Sequence, residues 1–115
     1  MNVTQIIPDL RVDDLDEARR FYAGFLGMTE EPMGLDWVTR FVAPSGAMLQ
    51  VLTRDAHAPE DPVLSVRVDD VDAAYAAAQE SEWEIVHPLT TEPWGVRRFF
   101  VRAPDGAVLN ILQQH

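Results

Sequence analysis

The chain contains no cysteine and no lysine among its 115 residues. Without cysteine there is no disulfide framework and no thiolate chemistry. Without lysine there is no Schiff base and no amine general base, and every basic residue is an arginine. Positive charge is scarce: Asp and Glu number 19 against 9 arginines, a net charge of -10. That balance argues against nucleic acid and anionic membrane as partners, because both require basic patches. It permits a cationic ligand, although surface charge of this size more plainly serves solubility. No apolar run approaches the length of a membrane helix. No basic flank leads into an apolar stretch at the N-terminus, so no leader is visible and a cytoplasmic protein is expected.

What the chain does have is a repeat. Ala103-Pro104-Asp105-Gly106-Ala107-Val108-Leu109-Asn110-Ile111-Leu112 echoes Ala43-Pro44-Ser45-Gly46-Ala47-Met48-Leu49-Gln50-Val51-Leu52. Each copy is a Pro-x-Gly turn, cheap because Pro fixes φ and Gly permits φ > 0, followed by an apolar strand. Each strand carries one amide, Gln50 or Asn110, at the same place. A second echo pairs Arg11-Val12-Asp13-Asp14-Leu15-Asp16 with Arg67-Val68-Asp69-Asp70-Val71-Asp72.

The elements follow from these anchors. Residues 3–12 read as a strand. Asp14 is an N-cap with Glu17 as its capping-box partner. Leu15, Ala18, Phe21, Tyr22, Phe25 and Leu26 make one helical apolar face, closed by Gly27. Strands follow at 28–34, 35–43 and 47–53, and residues 54–62 are a polar, Pro-containing linker. The second half repeats the order. Its opening strand is 63–68, and Asp69-Asp70 caps a helix with Val71, Ala74, Tyr75 and Ala78 inward. Strands come at 84–89, 96–102 and 107–113, with a loop at 90–95. Two copies of strand, helix, strand, strand, strand make a duplicated module rather than a solenoid. One such unit leaves sheet edges and a face open, and two can close them. The expectation is a single α+β domain over 1–115, made of two tandem βαβββ modules at about 1–54 and 62–115. They form curved mixed sheets with helices outside and a concave cavity within.

Several features carry a family likeness. They are the two modules, the acidic caps, Phe21-Tyr22 and Leu26-Gly27 in the first helix, the Glu92-Pro93-Trp94-Gly95 segment followed by Arg97 and Phe99, and Pro104-Asp105-Gly106. Together they resemble the vicinal oxygen chelate superfamily, which includes glyoxalase I, extradiol dioxygenases and bleomycin-resistance proteins. The resemblance implies this fold and commonly a homodimer. In metal-dependent members the opening and closing strands of both halves supply His, Gln or Glu ligands to one divalent metal. Those positions fall here on Ile7, Gln50, Val63 and Asn110, a set of aliphatics and uncharged amides. Aliphatic side chains cannot ligate, and neutral amides bind divalent cations poorly. No metal, no cofactor and no catalytic residue is therefore expected. The three histidines, His57, His87 and His115, show no metal-ligand spacing.

By strand period two, Gln50 brings Met48 and Leu52 to its face, and Asn110 brings Val108 and Leu112. Ile7 brings Asp9 and Arg11, and Val63 brings Ser65 and Arg67. Asp9 beside Arg11 or Arg67 reads either as a strand-end ion pair or as a ligand contact. Trp37 and Phe41 on one strand and Trp94 in the Pro-Trp-Gly turn are candidate aromatic walls; Trp94 reads equally as a structural plug. The expected ligand-binding set is Gln50, Asn110, Trp37, Trp94, Phe41, Arg11, Arg67 and Met48. The leading expectation is a metal-free protein that binds a small organic ligand, cationic or aromatic, in the manner of drug-sequestering bleomycin-resistance proteins. The alternative is a glyoxalase-like lyase or isomerase, or a dioxygenase-related enzyme, with an atypical site using Asp9, Glu92 or His87 as base.

Overall fold

The computed structural model describes every residue from Met1 to His115, and its elements follow the order that the repeat implies. They are β1 (Val3–Arg11), α1 (Leu15–Ala18) running on as π-helical turns (Arg19–Phe25), β2 (Thr29–Pro32), β3 (Val38–Val42) and β4 (Met48–Leu52). The second half supplies β5 (Leu64–Val68), α2 (Val71–Glu80), β6 (Ile85–Thr91), β7 (Val96–Arg102) and β8 (Val108–Gln114). The fold is α+β, with eight strands hydrogen-bonded in the order β2-β3-β4-β1-β5-β8-β7-β6. The pairings β1/β4 and β5/β8 are parallel, and the pairings within each remaining three-strand meander are antiparallel.

The chain divides into two compact units, Ile7–His57 and Ala58–His115 together with Met1–Ile6. The first six residues join the C-terminal unit for a local reason. The Asn2 backbone N–H and side-chain amide both donate to the Asp69 carboxylate, at 2.7 and 3.1 Å. The bond from the Asn2 backbone, foremost, holds the Asp69 carboxyl below its ordinary range.

The two Pro-x-Gly turns are the same structure twice. Gly46 and Gly106 both have φ of 90°. Their N–H groups donate to the Ala43 and Ala103 carbonyls, each at 2.9 Å. In return, Ala43 and Ala103 donate to the carbonyls of Ala47 and Ala107, each at 2.8 Å. Ser45 and Asp105 occupy the variable position, and each accepts from the backbone N–H two residues on. That is the local side-chain bonding that favours such residues in turns.

α2 also matches its pattern. Asp70 accepts from Ala73 N–H at 3.0 Å, and Val71, Ala74 and Ala78 are buried against Val66, Phe99 and Ile111.

The first helix departs from its pattern in two ways. Asp14 caps it through Asp16 N–H at 2.8 Å, while Glu17 pairs with Arg20 instead of closing a box. The backbone then widens, with Leu26 N–H reaching the Phe21 carbonyl five residues back. Wider turns shift which residues face inward. Leu15, Ala18, Tyr22 and Ala23 pack on Phe41, Leu49 and Val51, whereas Phe21, Phe25 and Leu26 stand at 50%, 74% and 52% exposure. The single apolar face expected through Leu26 is therefore not formed. The other boundary difference lies in the second half. β6 runs to Thr91, so the expected loop at 90–95 shrinks to a tight turn closed by Glu92 N–H to Val96 O at 2.7 Å.

One carboxylate ties the first helix to its sheet. Glu30 accepts from Arg19 Nε at 2.8 Å and from Thr39 Oγ1 at 2.7 Å. The Arg19 bond, then the Thr39 bond, hold the Glu30 carboxyl below its ordinary value of 4.5. A depressed carboxyl stabilises the fold fully above its unfolded value and loses that contribution as pH falls through the lower folded value. Glu30→Gln should therefore lower stability at neutral pH, and the gap to wild type should close below about pH 4 in urea titrations. A gap independent of pH would overturn this reading. Gly106→Val should cost about 1–3 kcal/mol of unfolding free energy through backbone strain alone, because a Cβ at Gly106 meets nothing within 4 Å.

Candidate functional site

Parallel pairing of β1 with β4 sets Asp9 opposite Gln50, and antiparallel pairing sets Arg40 opposite Gln50 and Glu31 opposite Arg40. Directly paired residues share a sheet face, so four polar side chains lie in one row. They bond end to end. Glu31 Oε1 accepts from Arg40 Nη1 at 2.9 Å. Arg40 Nη2 and Nε donate to Gln50 Oε1 at 2.8 and 3.2 Å, and Gln50 Nε2 donates to Asp9 Oδ1 at 2.8 Å. Arg40 thus fixes which way the Gln50 amide points, and the amide presents its N–H to a buried carboxylate. Asp9 and Gln50 are both buried.

The C-terminal unit repeats the row with different chemistry. Ser65 pairs with Asn110, Asn110 with Phe100, and Phe100 with His87. Asn110 Nδ2 donates to Ser65 Oγ at 3.2 Å, while the buried Asn110 Oδ1 accepts no hydrogen bond. Turning the amide over would only exchange an orphaned oxygen for an orphaned NH₂. At the far end of the row, Glu92 Oε2 accepts from Arg98 Nε at 2.6 Å and lies 3.2 Å from His87 Nε2. All three side chains are buried. The Arg98 guanidinium is stacked between Trp94 and Phe100, 4.9 and 4.8 Å from the ring centroids. Removing one partner of so buried a pair typically costs about 3–5 kcal/mol, far more than an exposed pair.

The expected site residues are distributed unevenly over these rows. Gln50 and Asn110 are their centres. Met48 begins β4 on the Gln50 face and is half-buried, as are Arg67 on the Ser65 face and Trp94 over Arg98. Phe41 lies on the opposite face. It is fully buried, packs on Tyr22 with ring centroids 5.4 Å apart, and has no surface to offer a ligand. Trp37 precedes β3 and sits beside His57, 6.4 Å between centroids, so it shares no strand face with Phe41. Arg11 is turned to solvent and pairs with Asp13 at 2.8 Å. Ile7 is a buried core residue and Val63 is half exposed ahead of β5; neither sits opposite an amide. Those places belong to Asp9 and Ser65, two residues further along each strand. A separate open cleft of about 620 Å³ lies beside the first helix, with Phe21, Tyr22 and Phe25 in its wall and Arg20 and Glu17 at its edge.

The model of the Glyoxalase/Bleomycin resistance protein/Dioxygenase superfamily matches residues 3–111, almost the whole chain. The chain belongs to that superfamily. Solved structures share the fold. A Legionella pneumophila protein described as an NAD-dependent benzaldehyde dehydrogenase is 21% identical, with a TM-score of 0.78 over 96% of this chain and 100% of that one. A superfamily member from Vibrio splendidus is 18% identical, with a TM-score of 0.72 over 96% and 98%. The methylmalonyl-CoA epimerase of Mycobacterium tuberculosis is 21% identical, with a TM-score of 0.68 over 98% and 89%. Identities this low speak for fold and not for activity. No curated protein matches the chain.

Many members of the superfamily use a divalent metal, and the residues here do not fit one. No group of three His, Cys, Asp or Glu side chains is placed to hold an ion. In the N-terminal unit the Gln50 oxygen already receives the Arg40 guanidinium, so a cation occupies the position where a metal would bind its ligand. In the C-terminal unit Ser65 and Asn110 offer a hydroxyl and a neutral amide, weak donors for such an ion.

Arg40 does not stand out in the sequence, and His87 and Glu92 appear there only as separate candidate bases, with nothing to join them to Arg98. A partial signal was present. Glu92 and Arg98 lie on either side of the Pro-Trp-Gly turn, close in sequence, although the hairpin pairs Arg98 with Thr90 and sets Glu92 against Val96. The approach of His87 to Glu92 is hidden because β6 and β7 pair with register shifts on either side of His87. Asn110→Leu should raise unfolding free energy by about 1 kcal/mol, because it removes a buried orphan acceptor. A lower urea midpoint would show instead that the amide is satisfied and structural.

Proposed function

We propose that this superfamily member is a metal-free small-molecule-binding protein, acting by sequestration in the manner of bleomycin-resistance proteins. The observation that carries the reading is the orphaned Asn110 carbonyl. A fold selected only for stability gains nothing from a buried acceptor without a donor, and a ligand's donor restores what burial cost. Three further features support it. Arg40 stands against a metal at Gln50. The polar rows offer directional groups beside apolar neighbours such as Met48, Phe100 and Leu112, a mixture suited to a small-molecule site. The net charge of -10 favours cationic ligands over anionic ones.

The competing reading, a lyase or isomerase, needs a group that takes a proton from substrate. His87, oriented by Glu92, has the arrangement of a base with its orienting carboxylate. Two measurements separate the readings. Purified protein should carry metal at well below one equivalent, and added Zn²⁺, Ni²⁺, Mn²⁺ or Fe²⁺ should leave Tm unchanged. Intrinsic tryptophan fluorescence should show a saturable change with members of a panel of cationic and aromatic compounds, each recovered unaltered after binding. Stoichiometric metal would overturn the proposal, as would turnover of a bound compound or silence across the panel.

A further inference from the structure

His87 has one unclaimed nitrogen, and its orientation is set. Glu92 is paired with Arg98, and an ionised carboxylate only accepts hydrogen bonds. The ring nitrogen that faces it, Nε2, therefore carries a hydrogen, which leaves Nδ1 as the ring nitrogen able to offer a lone pair. The ring's interactions are the Glu92 bond and an edge contact with Phe100, centroids 5.3 Å apart, so Nδ1 accepts nothing from the protein. Asn110 Oδ1 is the other unmet acceptor on the same face, on a side chain more than nine-tenths buried. The two residues sit in one register row with Phe100 between them. Two strand spacings separate their backbones, about 10 Å.

We propose that His87 Nδ1 and Asn110 Oδ1 act as a pair of acceptors for a ligand bearing two N–H donors on opposite sides of a flat core, the chemical class of diamino-substituted aromatic heterocycles. The proposal rests on the small-molecule-binding reading and adds the recognition rule. Local charge argues for this rule over simple ion pairing. The one carboxylate in the cluster is neutralised by Arg98, so the groups left to meet a ligand are neutral acceptors. Acceptors select N–H donors over their alkylated analogues, because an alkylated nitrogen leaves the buried Asn110 Oδ1 unmet and offers no hydrogen to His87 Nδ1. Glu92 and Arg98 are positioning residues here. They set the imidazole tautomer without touching the ligand.

The test uses two dyes with the same flat tricyclic cation. Proflavine carries two primary amino groups; in acridine orange both are dimethylated. Dye anisotropy with the 115-residue protein should give saturable proflavine binding, and acridine orange should bind at least about tenfold more weakly, the cost of roughly one lost hydrogen bond. Asn110→Leu and His87→Phe should each weaken proflavine about tenfold and leave acridine orange unchanged, while Asn110→Asp, which keeps an acceptor, should retain proflavine. Near-ultraviolet circular dichroism checks that each variant is folded. The comparison of dyes on the unaltered protein stands even if a variant is not. Equal affinity for the two dyes, or indifference of proflavine to both substitutions, would overturn the acceptor pair and leave the binding reading in place. Absence of proflavine binding also overturns the pair. The binding reading falls with it only if the wider compound panel is silent too.

Discussion

Parallel pairing between the opening and closing strand of each module is the constraint on which everything else here depends. It puts residue 9 across from residue 50 and residue 65 across from residue 110. Because paired residues share a face, each pairing brings a polar side chain from the start of a module beside the amide at its end. The antiparallel meanders then extend each row outward, to Arg40 and Glu31 in one unit and to Phe100 and His87 in the other. A slip of one residue in a parallel ladder would turn its opening-strand polar residue to the opposite face and break the polar row of that unit.

The two rows show how a duplicated scaffold diverges. In the N-terminal unit every link is filled, from Glu31 through Arg40 and Gln50 to Asp9, and alternating donors and acceptors leave the Gln50 amide no freedom. In the C-terminal unit an aromatic ring, Phe100, takes the place of Arg40, and the chain of bonds breaks on either side of it. The interruption isolates one acceptor at Asn110 and another at His87. Buried polar networks stabilise when fully satisfied and are costly when not, so the first row is well suited to structure and the second to recognition.

Much of this architecture could be read directly. The paired Pro-x-Gly turns appear with matching glycine φ values and hydrogen bonds, and Asp70 caps α2 where the acidic doublet placed it. These features are local, and a few neighbouring residues determine them. The first helix was less legible. A 3.6-residue period assigned Phe21, Phe25 and Leu26 to the core, but the π turns changed the period midway. Single-residue patterns carry no sign of such a widening, because it arises from how the helix end docks on its sheet. The site was partly legible. Both amides stand out, and Asp9 and Ser65 fall on the right strand faces, but that these two residues lie directly opposite the amides is not visible in the sequence. Parity along a strand can be counted from sequence; register between strands far apart in the chain cannot.

Sequence alone thus determined the duplicated α+β module, the turns, the caps and the two amides where metal-using relatives place ligands. All of these follow from local propensity and from repetition within the chain. Tertiary structure decided what each amide meets: Arg40 and Asp9 around Gln50, Ser65 and an unmet carbonyl at Asn110, and Glu92 with Arg98 behind His87. The physical reason is that hydrogen bonds between side chains depend on ångström-scale register across strands up to 45 residues apart in sequence. That register is set by the packing of whole sheets and helices, and no short stretch of the chain encodes it.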